Sequence, residues 1–350
     1  MTFGKLAEYF EKLEGTSSRL ALIDILCDLF SQVKKEEIAQ VCYLLQGRVA
    51  PFYEPIELGM SEKLVAAALA RAYSAPREDV LKLYGKLGDM GFVAEKLSDY
   101  RLPTTAEDGR RKTVSNLSIK EVFETLVQIA KTQGEGTVEK KVSALAEMLK
   151  KVDPISAKHL VRVPLGVSRL GIGDPTILDS FAKLKLGDRS KRKLLEGAYN
   201  RVSDLGLIGE TLWEGGLKAV EKLQVTVGRP IRSELCERLP TAEKVIEKMS
   251  QVNAQRKLDG FRVQIHKDKE NIRLFSRNLE ETTPMFPEIV ASAQKQIKAK
   301  TAILDCEAIG FNPTSEEFLP FQETTTRRRK YGIEELAKKI PLKAFCFDIL

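Results

Sequence analysis

The stretch RKLDGFRVQIHK, residues 256–267, sets Lys257 two residues before an Asp-Gly pair and Arg262 two residues after it. Phe261, Val263 and Ile265 alternate with Arg262, Gln264 and His266, the period of a strand, so the lysine is expected at a strand's lip. A deprotonated lysine amine can attack phosphorus, and neighbouring arginines with a bound cation would depress its pKa. Further along, ILDCEAIG puts Asp305 and Glu307 on one strand face and Leu304, Cys306 and Ala308 on the other. Arg277 and Asn278 end another strand in FSRN. Taken singly, each polar residue fits an exposed strand face. Together, an amine, two carboxylates for a divalent metal or a ribose, and two arginines for phosphate form the inventory of a phosphoryl-transfer site.

The usual phosphate cradles are missing: neither GxxxxGK[ST] nor a GxGxxG opening a helix occurs. That disfavours P-loop and dinucleotide-binding enzymes and leaves a covalent lysine as the grip on a nucleotide.

The elements expected to position these residues are short strands. KDKEN (267–271) reads as a polar turn between strand 261–266 and strand 272–278. FPEIVASAQKQI (286–297) reads as a helix, and 301–311 and 342–350 as further strands. A helix is also expected after Pro240. This is an α+β domain with antiparallel strands, assigned to 217–350.

Helical periodicity dominates 1–216. Cap-like serines open SSRLALIDILCDLFSQV, whose Leu20, Ile23, Leu26, Leu29 and Phe30 form one face, and Ser118 with Glu121 makes a capping-box pattern. Residues 102–117 read as a connecting loop. Inside this region LYGKLGDMGFVAEKL (83–97) aligns with AYNRVSDLGLIGETL (198–212), matching Asp89 to Asp204, Gly91 to Gly206 and Glu95 to Glu210. ELGMSEKLV (57–65) answers RLGIGDPTI (169–177) at nearly the same offset. Gly59 and Gly171 read equally as left-handed helix caps or as parts of two phosphate-binding helix N-termini about a pseudo-twofold. The second reading makes Gly59, Gly171, Gly173, Arg48 and Arg169 candidates for contact with duplex DNA, bound for shape across the minor groove.

Composition sets the background. The 350 residues carry a net charge of +7, mild support for a polyanionic partner, with basic runs at GRRK (109–112), GDRSKRK (187–193) and TTTRRRK (324–330). The five cysteines are widely spaced without a CxxC, which favours reduced, mostly buried thiols and a cytoplasmic setting, and argues against structural zinc. No apolar run reaches a membrane span.

KLDGFR resembles the KxDGxR signature of covalent nucleotidyltransferases, which include DNA ligases, RNA ligases and capping enzymes. LFSRNLE, LDCEAIG, PFQETTTRRRK and AFCFDIL resemble that family's further motifs in order and spacing. LEGTSSRLALIDIL, CYLLQGRVAP, RLGIGDPTILD and VGRPIRSEL resemble the helical DNA-binding domain of archaeal and eukaryotic replicative ATP-dependent DNA ligases, which capping enzymes and RNA ligases lack. The resemblance covers essentially the whole chain. It implies that Lys257 takes AMP from ATP and passes it to the 5′-phosphate of nicked double-stranded DNA, where the 3′-OH displaces it, in replication, repair and recombination. Mg²⁺ is implied, with Asp259 and Glu307 as metal candidates. Arg262 and Arg277 are assigned to phosphate or ribose, Glu307 to the ribose and metal environment, and Phe347 to adenine stacking. Gln255 replaces a glutamate found in many relatives to read the adenine amino group, which relaxes the expected ATP preference. A monomer is expected, and a sliding clamp is a candidate partner.

After FDIL the family continues with a glutamate motif, a lysine-bearing strand and an OB-fold domain. The expectation is therefore an N-terminal fragment, its adenylation domain incomplete, that binds nicked DNA without sealing it. The alternatives are a duplex- or nick-binding protein with an inactive nucleotidyltransferase remnant, and a capping-type enzyme.

Overall fold

The computed structural model describes residues 1–101, 117–234, 236–329 and 331–350. It divides into two compact units: Met1–Pro51, Ile56–Tyr199 and Asp204–Lys222 form one, and Phe52–Pro55, Asn200–Ser203 and Leu223–Leu350 the other. The loop expected over 102–117 and the GRRK run lie, but for Leu117, outside the described residues.

The first unit is helical. α1 (Phe3–Glu14), α2 (Arg19–Gln32) and α3 (Ile38–Leu45) lead into α4 (Glu62–Tyr73), α5 (Arg77–Leu87) and α6 (Met90–Arg101). α7 (Ile119–Lys131) and α8 (Thr137–Leu149) follow, then α9 (Pro154–Arg162), α10 (Asp174–Leu186), α11 (Arg192–Val202) and α12 (Leu205–Glu221). Starts are set by side chains that satisfy orphan N–H groups. Ser18 accepts from Ala21 at α2, and Ser118 with Glu121 closes a capping box at α7.

α2 buries Leu22, Ile23, Leu26, Leu29 and Phe30. Leu20, expected on that face, is 63% exposed. It lies roughly 120° around the helix from the centre of the face, a position that Leu22 and Leu29 define better than the three- and four-residue count did. Phe30 packs on Phe181 at 4.8 Å and on Trp213 at 6.1 Å between ring centres. Each such side chain, fully buried, contributes about 1.5–3 kcal/mol.

α6 and α12 begin alike. Asp89 accepts the Gly91 N–H at 2.6 Å, and Asp204 accepts the Leu207 N–H at 3.0 Å. Gly88 and Ser203, just before them, both take positive φ, 68° and 54°. In each case a polar side chain from another helix crosses the first turn to reach the capping carboxylate, Arg162 for Asp89 and Tyr43 for Asp204. Only glycine leaves room. A Cβ on Gly91 would lie 2.6 Å from Arg162 Nε, and one on Gly206 2.5 Å from the Tyr43 ring.

Gly216, where the helical domain was expected to end, is instead a bend of φ 66° inside α12, and the helical unit runs on to Lys222. Glycine marked a change of direction there, and the buried Val220 keeps the following turn in the same unit.

The second unit contains α13 (Ala242–Lys248), β1 (Phe261–Asp268), β2 (Asn271–Ser276), α14 (Pro287–Gln296), β3 (Thr301–Gly310), α15 (Phe321–Thr325), α16 (Ile333–Lys339) and β4 (Leu342–Ile349). The strands form one antiparallel sheet in the order β2-β1-β3-β4. On one face Phe261, Val263, Ile265, Cys306 and Ala308 pack with Phe286, Ile289 and Ala293. The alternate residues of β1 are covered too: Gln264 and His266 are 2% and 1% exposed. Gln264 exchanges two hydrogen bonds with the Ile231 backbone, at 2.9 and 2.6 Å, and His266 Nδ1 accepts the Gly228 N–H at 2.9 Å.

Cys42 and Cys306 are buried and Cys27 half-buried, whereas Cys236 and Cys346 are exposed; all five are free thiols. No helix among the described residues is long and apolar enough to cross a membrane.

Two glycines give opposite expectations. Gly206→Ala forces a methyl into Tyr43 and should destabilise the helical unit by about 1–3 kcal/mol. Gly85, inside α5 with nothing within 4 Å of its Cβ position, should stabilise on Gly85→Ala by about 0.5–1 kcal/mol. Urea unfolding of both variants checks the pair.

Candidate active site

The lysine-bearing segment 252–259 is irregular and exposed, with Gln255, Lys257 and Asp259 all at the surface. At Gly260 the chain turns inward and crosses β3 so closely that a Cβ would stand 2.2 Å from the Ala308 carbonyl oxygen. The Gly260 N–H donates to Glu307 Oε1 at 3.2 Å. The glycine of KxDG is thus required by close approach, and it joins the lysine turn to the acidic strand.

The ladder then fixes the next pair. Arg262 stands opposite Glu307 and Gln264 opposite Asp305. The Arg262 guanidinium reaches diagonally to Asp305, Nε to Oδ1 at 2.7 Å and Nη2 to Oδ2, a bidentate charge-assisted pair. It also lies 5.1 Å from the centre of the Phe347 ring. A register shift between Asp305 and Cys306 against β4 falls at Phe347.

Burial raises the Glu307 carboxyl above its ordinary pKa, opposed by the Gly260 N–H, Arg262 and Lys257 and reinforced by Asp259. Burial also raises Asp305, against the pull of Arg262. Asp348 raises Asp305 further, so Asp259, Asp305, Glu307 and Asp348 are the carboxylates, and Lys257 and Arg262 the cations, whose charges act on the acidic strand. Asp305 is engaged by Arg262, and Asp259, Glu307 and Asp348 are the carboxylates that could offer oxygens to a hard divalent ion. Arg277, expected at a strand end, lies in the exposed turn after β2, which stops at Ser276. Among the described residues no contact joins Gln255 or Arg277 to this group.

In the helical unit Gly59 and Gly171 take φ of 60° and 67°, whereas Gly173 is extended at −123° and precedes α10. Arg48 is half-buried and donates Nε to the Ala50 carbonyl at 3.4 Å. Arg169 is left-handed, φ 54°, and its side chain is 51% exposed. The loops carrying these arginines meet: a Cβ on Gly47 would sit 3.4 Å from Ser168 N. Of the basic runs, Arg189, Lys191 and Lys193 are exposed, but Arg327 is fully buried, paired with Glu288 on α14 and facing the Phe286 ring.

A buried charge network escaped the sequence reading. Glu11 and Glu14 of α1 hold Lys158 of α9, Glu14 also holds Arg162, and Arg162 reaches Asp89. Burial alone would raise Glu14, yet the Arg162 and Lys158 hydrogen bonds bring it down to about 2. Glu11, Glu14 and His159 converge as metal ligands do, but Lys158 and Arg162 already balance their charge. Acidic and basic residues one helical turn apart in α1 and α9 were the available signal.

Known proteins resemble this chain along its whole length. A family model described as "DNA ligase N terminus" matches residues 2–182, and one described as "ATP dependent DNA ligase domain" matches 233–350. "Probable DNA ligase" of Dictyoglomus turgidum is 46% identical over 350 residues, all of this chain and 58% of that protein. "DNA ligase" of Saccharolobus solfataricus is 41% identical over 354 residues, covering 100% of this chain and 59% of its own. The chain thus spans less than two thirds of the length of these relatives.

His266 gives the site's scaffold a pH dependence. Burial, then Arg273, lowers its pKa to about 4 from an unfolded value of 6.5. Between those values the unfolded chain binds a proton that the folded one refuses, so stability is complete above 6.5 and falls as pH drops towards 4. The loss should be of order 3 kcal/mol. His266→Gln should flatten that part of the profile in thermal melts between pH 7 and pH 4.5.

Proposed function

This chain belongs to the ATP-dependent DNA ligases, and on that premise we propose that it serves the sealing of nicks in duplex DNA through a covalent lysyl-AMP. The Lys257 amine attacks the α-phosphorus of ATP, a P–N bond forms, and the bond to the β-phosphate breaks to release pyrophosphate. AMP then passes to the 5′-phosphate at the nick, and the 3′-OH attacks that phosphate and expels AMP. The observation that carries this reading is the Gly260–Glu307 hydrogen bond, which ties the lysine turn to the acidic strand beside the Arg262–Asp305 pair.

Within this reading Glu307 would meet the ribose and, with Asp259, would hold Mg²⁺. The ion would supply charge neutralisation for the phosphates. Arg262, aimed by Asp305, faces phosphate or ribose, and Phe347 takes the adenine face. Arg277, exposed in the turn after β2, supplies a second phosphate contact, and Gln255 relaxes the choice of base.

The helical unit is the duplex-binding part. The matched starts of α6 and α12 and the meeting of the Arg48 and Arg169 loops support two halves related by a pseudo-twofold, one for each strand. Contacts of that kind would go to phosphates and carry no base sequence.

Lys257→Ala should abolish AMP attachment. Denaturing electrophoresis after incubation with labelled ATP and Mg²⁺, on the chain extended to the length of its relatives, checks it. A labelled band persisting in the variant would remove Lys257 from the reaction.

A further inference from the structure

Asp89 is buried, 5% exposed, and it is the last carboxylate of the charged chain that starts on α1. Oδ1 takes the Gly91 and Phe92 N–H groups and Arg162 Nε, and Oδ2 takes Arg162 Nη2 at 3.2 Å. One further partner lies outside the core: Arg169 Nε, 2.9 Å from Oδ2. Arg162 itself is anchored by Glu14 through both terminal nitrogens, at 2.8 and 3.1 Å. The carboxylate that meets Arg169 is therefore held by a capped helix on one side and a buried guanidinium on the other.

Arg169 needs such an anchor. Its φ of 54° is strained for a residue with a Cβ, and Gly171 two residues on is left-handed too, at 67°. Leu170, 1% exposed, fixes the backbone between them, and among the described residues Asp89 is the ion-pair partner of the guanidinium. With Nε nearest Asp89, neither terminal nitrogen donates a hydrogen bond to a described residue, and Arg169 lines a cleft together with Met60, Ser61, Glu62 and Tyr84. A fork clamped at its stem and open at its tips is the geometry for bidentate binding of a phosphate.

We propose that Asp89 is a positioning residue for DNA binding, aiming Arg169 at a backbone phosphate of the duplex. It touches no DNA itself and acts through Arg169. The inference rests on the duplex-binding reading of the helical unit.

Asp89→Asn is the informative change. The amide oxygen in the place of Oδ1 still caps α6 and still accepts from Arg162 Nε, whereas the NH₂ in the place of Oδ2 faces Arg162 Nη2 and Arg169 Nε and accepts from neither. Binding of the full chain to a nicked oligonucleotide duplex is measured across a salt series by anisotropy, with thermal melts alongside. Arg169→Ala should weaken binding roughly tenfold at about 0.1 M salt and lower the slope of log K against log salt by about one, as one lost phosphate contact does. Asp89→Asn should reproduce both changes, and the double variant should bind no more weakly than either single. A purely structural Asp89 would change the melt without the slope. Unchanged affinity in Asp89→Asn, or losses that multiply in the double variant, would overturn the proposal. Should Asp89→Asn not fold, Arg169→Lys decides: one ammonium cannot both pair with Asp89 and present a fork, so it should bind like Arg169→Ala, and wild-type affinity in that variant overturns the idea. Normal binding by Arg169→Ala refutes this inference alone, whereas an unsubstituted chain that fails to bind duplex refutes the reading beneath it.

Discussion

The antiparallel pairing of β1 with β3 is the constraint on which the active site depends. Its register sets Arg262 against Glu307 and Gln264 against Asp305, and a slip of one residue would turn every one of these side chains to the opposite face. The slip is resisted from both sides of the sheet. Phe261, Val263 and Ile265 are locked into the core with α14, while Gln264 and His266 are locked to the backbone of 228–231. A lysine on an irregular, exposed segment can be placed reliably only because the residue three positions later is pinned in this way. The same ladder makes a shared boundary between chemistry and stability: the acidic strand supplies Glu307 to one face and Cys306 and Ala308 to the other.

The helical unit solves a different problem. Its stability comes from apolar burial around residues such as Phe3, Leu26, Phe30 and Phe181, all nearly inaccessible to water. The charged chain from Glu11 to Arg169 adds little net free energy by comparison, since desolvating each ion offsets much of the attraction. What it adds is direction. Carboxylates and cations alternate along it, and breaking it at one member would leave a buried charge without its counterpart.

Much of this was legible in the sequence because it is local. The Ser118–Glu121 capping box and the shared face of Asp305 and Glu307 depend on residues within a few positions of one another, as does the polar turn expected at 267–271, which narrows to Lys269 and Glu270 because Lys267 and Asp268 pair in β1 and Asn271 in β2. The duplicated Asp-x-Gly was read as a repeat but not as a pair of helix starts, because its reason, a side chain crossing the first turn, comes from elsewhere in the chain. Arg327 was read as part of a surface run because a basic cluster is usually solvated; Glu288, distant in sequence, draws it inside. Leu20 was misplaced because three- and four-residue spacings admit neighbouring faces until the buried partners are known. The Asp89–Arg162 and Glu14–Arg162 pairs join residues far apart in the chain, and no periodicity reports them.

The central claim is that close crossing of β3 by Gly260 places Lys257 for attack. The direct measurement is the rate of AMP attachment to Lys257, followed by mass spectrometry of the peptide, in Gly260→Ala beside the unsubstituted protein at its relatives' full length. The added methyl meets the Ala308 carbonyl at 2.2 Å, so the lysine turn must move. A displacement of that kind should slow attachment by about 10²-fold or more, with duplex binding retained as evidence that the helical unit still folds. Attachment at the unsubstituted rate, or on a different lysine, would contradict the account.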